Sequence, residues 1–301
     1  MSTAAHRPDR ALPPALVERA RAFVREPRAP VQARPAATVV LLRDGAGSAS
    51  GGLEVYLLRR AASMAFAAGM HVFPGGTVDS RDVDRTVRWA GEPPEHWAQA
   101  FATDVPHARA LVCAAVRETF EESGVLLAGP AGEPASGSPS GAVLADTGAE
   151  DWERDRGALV DRSLGFADLL DARGLQLRAD LLRPWAHWIT PEFESRRYDT
   201  RFFVAGLPPG QRPRDVSGEA DRVTWVNVSE AVARHAQGEM AMLVPTIATL
   251  LDLQQYSSVA EVLDAGWSRE IRPMMPRAVL DGERAWVVLP GEPGYADGVR
   301  A

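Results

Sequence analysis

The chain has 301 residues, and its 33 basic residues, every one of them Arg, face 40 acidic ones for a net charge of -7. With no Lys, a P-loop, a Schiff-base Lys and a protein-kinase Lys–Glu pair are excluded, and the acidic balance argues against nucleic acid as a partner. The single Cys, Cys113, excludes an internal disulfide framework and a Cys-cluster zinc site.

In chain order, residues 15–25 have helical spacing, with Leu16, Ala20, Phe23 and Val24 on one face. Pro27, Pro30 and Pro35 then break the chain. Residues 37–42 read as a buried strand and 53–58 as its hairpin partner across a Gly/Ser turn. His71-Val72-Phe73 is a short strand running into Pro74-Gly75-Gly76. Residues 83–109 are polar and aromatic without a long period. Residues 108–123 are strongly helical, and Gly124 stands where a C-capping Gly belongs. Residues 129–149, rich in Gly, Ala, Pro and Ser, read as a flexible loop.

Residues 159–173 carry helical signals, and 182–189, 199–204 and 222–226 read as strands. Helices follow from Ser229 and over 244–256, with a late strand at 285–289. The alternation predicts an α/β sandwich with a mixed sheet. No apolar run is long enough to span a membrane, and the polar N-terminus carries no signal-peptide pattern, so a cytoplasmic protein is expected.

The chemistry concentrates in Arg117-Glu118-Thr119-Phe120-Glu121-Glu122-Ser123-Gly124-Val125. At about 100° per residue, Glu118, Glu121 and Glu122 share one helix face, while Val112, Val116 and Phe120 lie on the other. Three neighbouring carboxylates repel one another, and a hard divalent cation, Mg²⁺ or Mn²⁺, would offset that repulsion. On the Glu positions alone, an ordinary solvated acidic face is the simpler account.

The wider context adds to it. The segment resembles the second half of the Nudix box, and His71-Val72-Phe73-Pro74-Gly75-Gly76 resembles the strand and Gly-Gly that open it. At the spacing where the family places a Glu stands Asp82. Residues 83–116 separate Asp82 from Arg117, so the box is split by an insertion, and Thr119 stands where the family prefers an apolar residue. With Trp188-Ile189-Thr190-Pro191 and Arg196-Arg197-Tyr198-Asp199-Thr200-Arg201-Phe202-Phe203, the chain resembles the peroxisomal acyl-coenzyme A diphosphatase branch of the Nudix family.

That resemblance implies a Nudix-type α/β/α sandwich over residues 35–256, with an insert at 83–109. An N-terminal helix and linker, 1–34, would precede it and an extension, 257–301, would follow. The tail would pack back on the domain or form a homodimer contact. The implied reaction is metal-dependent cleavage of a nucleoside diphosphate derivative, coenzyme A or acyl-CoA favoured. ADP-ribose, NADH or a nucleotide sugar is the alternative substrate, and a catalytically silent binding module is the alternative role.

Glu118, Glu121 and Glu122 would hold the metal, and Glu121 or Glu122 would also accept a proton. Arg117 would orient the box carboxylates, and the Gly76 carbonyl and Glu219 are further candidate ligands. Arg59, Arg60, Arg196, Arg197 and Arg201 are candidates for gripping phosphates. Met64, Phe66, Met70, Trp89 and Trp97 could line an acyl groove, with core packing the simpler role for each. The insert is a candidate lid.

Overall fold

The computed structural model describes residues 10–45, 52–61, 67–83, 87–132, 142–214 and 220–299. Glu219, Met64 and Phe66 lie outside them. In chain order the elements begin with α1 (Pro14–Arg25), β1 (Arg34–Asp44), β2 (Leu53–Arg60), β3 (His71–Val72), β4 (Gly75–Thr77) and β5 (Trp89–Ala90). Then come α2 (Pro94–Ala100), α3 (Val105–Ser123), β6 (Ala128–Pro130), α4 (Glu150–Val160), α5 (Phe166–Ala172) and β7 (Leu175–Arg178). The chain continues with β8 (Leu182–Ile189), β9 (Tyr198–Gly206), β10 (Ala220–Asn227), α6 (Val228–Ala236), α7 (Val244–Leu253) and α8 (Val259–Gly266). It closes with β11 (Pro273–Met274), β12 (Arg277–Asp281) and β13 (Arg284–Val288).

Two compact units form: residues 36–186 with 201–271, and residues 1–35 with 187–200 and 272–301. In the larger unit, β10, β2 and β1 are consecutive antiparallel neighbours, β3 pairs with β2, and β4 pairs with β1. A second sheet, β5-β7-β6, has one parallel and one antiparallel pairing. The fold is α/β with mixed sheets, as expected.

The core of this unit is built on α3. Val112, Val116 and Phe120 are fully buried among Leu41, Tyr56 and Phe203. Burying one such side chain stabilises by about 1.5–3 kcal/mol.

The insert is more ordered than its sequence suggests. Its aromatic residues serve packing: Trp97 is fully buried, with its ring 5.5 Å from Phe203 and 4.7 Å from Trp267. The described part of the insert is therefore a packed element, not a loose cover. The short polar and aromatic stretch hides α2 because its packing partners lie on distant elements. Two helices, α4 and α5, occupy the region where the sequence shows one helical signal, and α4 begins before that signal. Within the expected loop at 129–149, the described residues are tied to β6, with the Leu144 N–H bonded to the Ala128 carbonyl at 3.1 Å.

In the smaller unit, α1 buries Ala20 and Phe23 against Phe193 and Ala278. The tail hairpin β12–β13 thus packs back on α1 within this unit, and the Leu12 N–H reaches the Ala285 carbonyl at 2.9 Å.

Candidate active site

Helix α3 positions the arginine and the glutamates. Asp104 caps its start by accepting from the His107 N–H at 2.8 Å. Gly124, at φ 72°, ends it and donates to the Phe120 carbonyl at 2.8 Å. That left-handed conformation is one glycine adopts without a Cβ penalty. Thr119 is fully buried at a position that suits an apolar residue, and its hydroxyl donates to the Ala115 carbonyl at 2.7 Å. The bond satisfies the polar atom, so the departure from the family pattern costs little.

Arg117 organises the face opposite the core. Its Nε and Nη2 donate to the two oxygens of Asp82 at 2.9 and 2.8 Å. Its Nη1 donates to Glu118 at 2.7 Å and to Glu121 at 3.0 Å, and its Nη2 also reaches the Thr77 carbonyl at 2.9 Å. Asp82 is 2% exposed and also accepts from the Asp79 N–H at 2.7 Å. A short carboxylate thus spans the gap from the loop to α3, because the Ser80–Val83 turn carries it in.

The glycines meet the same face. Glu122 accepts from the Gly75 N–H at 2.8 Å. A Cβ on Gly76 would lie 2.5 Å from the Glu118 carboxyl carbon, so only glycine lets β4 approach so closely.

The charges are unbalanced, since one guanidinium serves three acids. Burial pushes Glu118 up to about 7, against the pull of Arg117 and with the help of Glu121. Burial raises Glu121 as well, again opposed by Arg117. Burial also opposes the charge on Arg117, but the bonds to Asp82 and the carboxylates of Glu118, Asp82 and Glu121 raise its pKa overall and keep it protonated.

As they stand, no three His, Cys, Asp or Glu side chains are gathered to cage an ion among the described residues. The expected convergence of three glutamates is thus incomplete. Arg117 takes one oxygen each of Glu118 and Glu121, while Glu122 reaches back to β4.

Other sequence candidates fall elsewhere. Arg59 lies one residue before the end of β2, cross-strand from His71 and Arg222. Arg201 is buried on β9. Arg196 is exposed in the smaller unit. Its neighbour Arg197 is buried and donates to the carbonyls of Thr190 and Val31 at 3.0 and 2.8 Å. That makes it a brace between its own loop and the segment that leads into β1. The supports behind the clamp escape sequence reasoning. Arg81, pinned by Asp79, and Arg156, which donates to the Glu121 carbonyl at 3.0 Å, carry no local pattern that marks them.

A family model described as the NUDT19 Nudix domain matches residues 92–253, which include the whole Arg117–Gly124 segment. The chain belongs to the Nudix hydrolase family. This Nudix hydrolase is 28% identical to the acyl-coenzyme A diphosphatase NUDT19 of Gallus gallus, over 88% of this chain and 80% of that protein. It is also 28% identical to the protein of that name from Homo sapiens, over 82% and 73% of the two chains. A solved Nudix hydrolase from Alicyclobacillus acidocaldarius superposes with a TM-score of 0.60 at 29% identity, covering 78% of this chain and 96% of the other. The fold is therefore of Nudix type, and membership of a hydrolase family supports an enzyme over the silent-module alternative.

Proposed function

We propose that this Nudix hydrolase cleaves the diphosphate of coenzyme A or an acyl-CoA with the help of a divalent cation, Mg²⁺ or Mn²⁺. The observation that carries this reading is the Arg117 clamp, which gathers Asp82, Glu118 and Glu121 beside the glycine strand. Relatives named acyl-coenzyme A diphosphatase support the substrate class.

The carboxylates fit a hard cation. Burial raises Glu118 and Glu121, and the pull of the single Arg117 guanidinium does not offset it, so a hard cation would supply the missing positive charge. Glu118, Glu121 and Glu122 would hold the cation, with the Gly76 carbonyl and Glu219 as further candidate ligands. When bound, it would offset the charge of the diphosphate that repels an incoming water.

The chain's own part in the reaction is positioning and proton transfer. A water oxygen attacks one phosphorus, the bridging P–O bond breaks, and its electron pair leaves with the second phosphate. Glu121 or Glu122 accepts the proton the water loses. Arg117, saturated by its acceptors, holds the carboxylates in place. From an acyl-CoA the products are adenosine 3′,5′-bisphosphate and an acyl-phosphopantetheine.

The test is incubation of the full chain with Mg²⁺ or Mn²⁺ and a panel of coenzyme A, acyl-CoA, ADP-ribose and NADH, with products identified by mass. Cleavage of the CoA compounds, lost in Glu121→Gln or Glu122→Gln, is expected. Preferred cleavage of ADP-ribose or NADH would move the substrate to that class, and turnover unaffected by both substitutions would overturn the site.

A further inference from the structure

The last carbonyls of a helix have no partner within it, and the negative end of its dipole disfavours carboxylates there. Glu121 and Glu122 stand in the last turn of α3. The Arg117 clamp acts on side-chain oxygens of Glu118 and Glu121. The backbone of the last turn is held from elsewhere.

Three of its terminal carbonyls meet groups that lie outside the Arg117–Val125 segment. Arg156, on α4, donates from Nη1 to the Glu121 carbonyl at 3.0 Å. The Arg214 N–H reaches the Ser123 carbonyl at 2.9 Å. The Thr147 hydroxyl donates to the Gly124 carbonyl at 2.6 Å.

Both arginines converge on one acid. Glu153 accepts from Arg156 Nε at 2.9 Å and from Arg214 Nη2. The Arg214 guanidinium also donates to the Thr147 carbonyl at 3.0 Å, and it lies over the end of α3, where a Cβ on Gly124 would meet it at 2.8 Å. Burial opposes the charge of Glu153, but its bonds to Arg156 and Arg214 hold its carboxyl below the usual range and keep it ionised.

This triad is not what docks α4. Trp152 of α4 meets Phe120 edge-on at 6.1 Å. Arg173 lies 4.0 Å over the Trp152 ring and bonds Asp151 and Asp155 at 2.7 and 2.8 Å. With α4 anchored in that way, the bond from Arg156 has a narrower effect. The carbonyl it holds belongs to the peptide between Glu121 and Glu122, so fixing that peptide fixes where both side chains leave the helix.

We propose that Arg156, braced by Glu153 and Arg214, is a positioning residue for the cation site: it holds the Glu121–Glu122 peptide so that both carboxylates keep the orientation that binds a divalent cation. The inference rests on the diphosphatase reading above. Groups behind ligating carboxylates commonly govern their affinity in this way.

The experiment compares wild type with Arg156→Ala, Arg156→Lys and Glu153→Gln, and with Arg173→Ala, which removes ion pairs of α4 that do not reach α3. It measures the Mn²⁺ affinity of the metal-free full chain by calorimetric titration, the melting temperature without metal, and kcat and KM on an acyl-CoA at saturating Mn²⁺. Arg156→Ala should weaken Mn²⁺ binding about tenfold or more and lower kcat, with KM changed much less. Lys should restore part of the affinity, since an ammonium can meet the carbonyl but lacks the fork that also reaches Glu153. Glu153→Gln should give a smaller loss. Arg173→Ala should lower the melting temperature and keep the wild-type Mn²⁺ affinity. Wild-type affinity in Arg156→Ala overturns the proposal, as does an equal loss of affinity in Arg173→Ala, which would trace the effect to general stability. If the wild type binds Mn²⁺ but cleaves no CoA compound, the diphosphatase reading fails, and the titration still decides the role of Arg156. A wild type that binds no Mn²⁺ overturns both.

Discussion

Arg117 grips both carboxylate oxygens of Asp82 across a separation of 35 residues, at 2.9 and 2.8 Å. The pair closes over the insertion that splits the box, and both partners are buried. Asp82→Ala removes the acceptor of two Arg117 donors, while Glu118 and Glu121 still balance the guanidinium charge. The substitution should therefore destabilise the protein by about 1–3 kcal/mol, the cost of buried donors left unmet. Chemical denaturation would measure it, and a loss well below that would mean the clamp is dispensable.

Burial of Glu118 sets a pH dependence. Its pKa is raised from an ordinary value of 4.5 to about 7, so between those values the folded state binds the proton that the unfolded state has released. Stability of the protein without added metal should fall as pH rises through this window and level off above about 7, by on the order of 3 kcal/mol at most. The raised Glu121 acts in the same direction. Glu118→Gln should flatten the curve, as followed by melting temperature against pH.

A divalent cation should reverse that trend. Its carboxylate ligands must be ionised to bind, so stabilisation by Mg²⁺ or Mn²⁺ should grow as pH rises towards and past about 7. Melting curves with and without metal, at several pH values, read the difference. A shift independent of pH would place the cation away from Glu118.

Gly76→Ala would drive a Cβ to 2.5 Å from the Glu118 carboxyl carbon. Either the strand or the glutamate must move. Metal-induced stabilisation and turnover should both drop by about tenfold or more, since orientation of ligating carboxylates governs affinity. Calorimetric titration of the metal into wild type and variant provides the check.

Phe120→Ala should cost about 3–5 kcal/mol, because the ring is fully buried beneath the clamp against Trp152 in an edge-on arrangement. Lower stability with kcat retained in the folded fraction would separate this support from chemistry.

Several elements are legible in the amino-acid pattern because their signals are local. Helix α3, its Gly124 stop and the opposed faces of Val116 and Glu118 follow from a period of about 3.6 residues and a left-handed cap. Strands β1 and β2 follow from apolar runs around a Gly/Ser turn. The insert does not read as a helix, because what orders α2 is Trp97 meeting Phe203 and Trp267, residues far away in the chain.

The ingredients are all visible in the chain itself: a Lys-free, acidic composition, a glutamate-bearing helix face, paired glycines and a split box. Which groups meet is not. Asp82 bridges the insertion to Arg117, and Glu122 turns to Gly75 while Glu118 and Glu121 share one guanidinium, all through tertiary packing. Pattern dictates which face a side chain takes on its own element. Electrostatic balance in a buried site depends instead on which distant elements the core brings against that face.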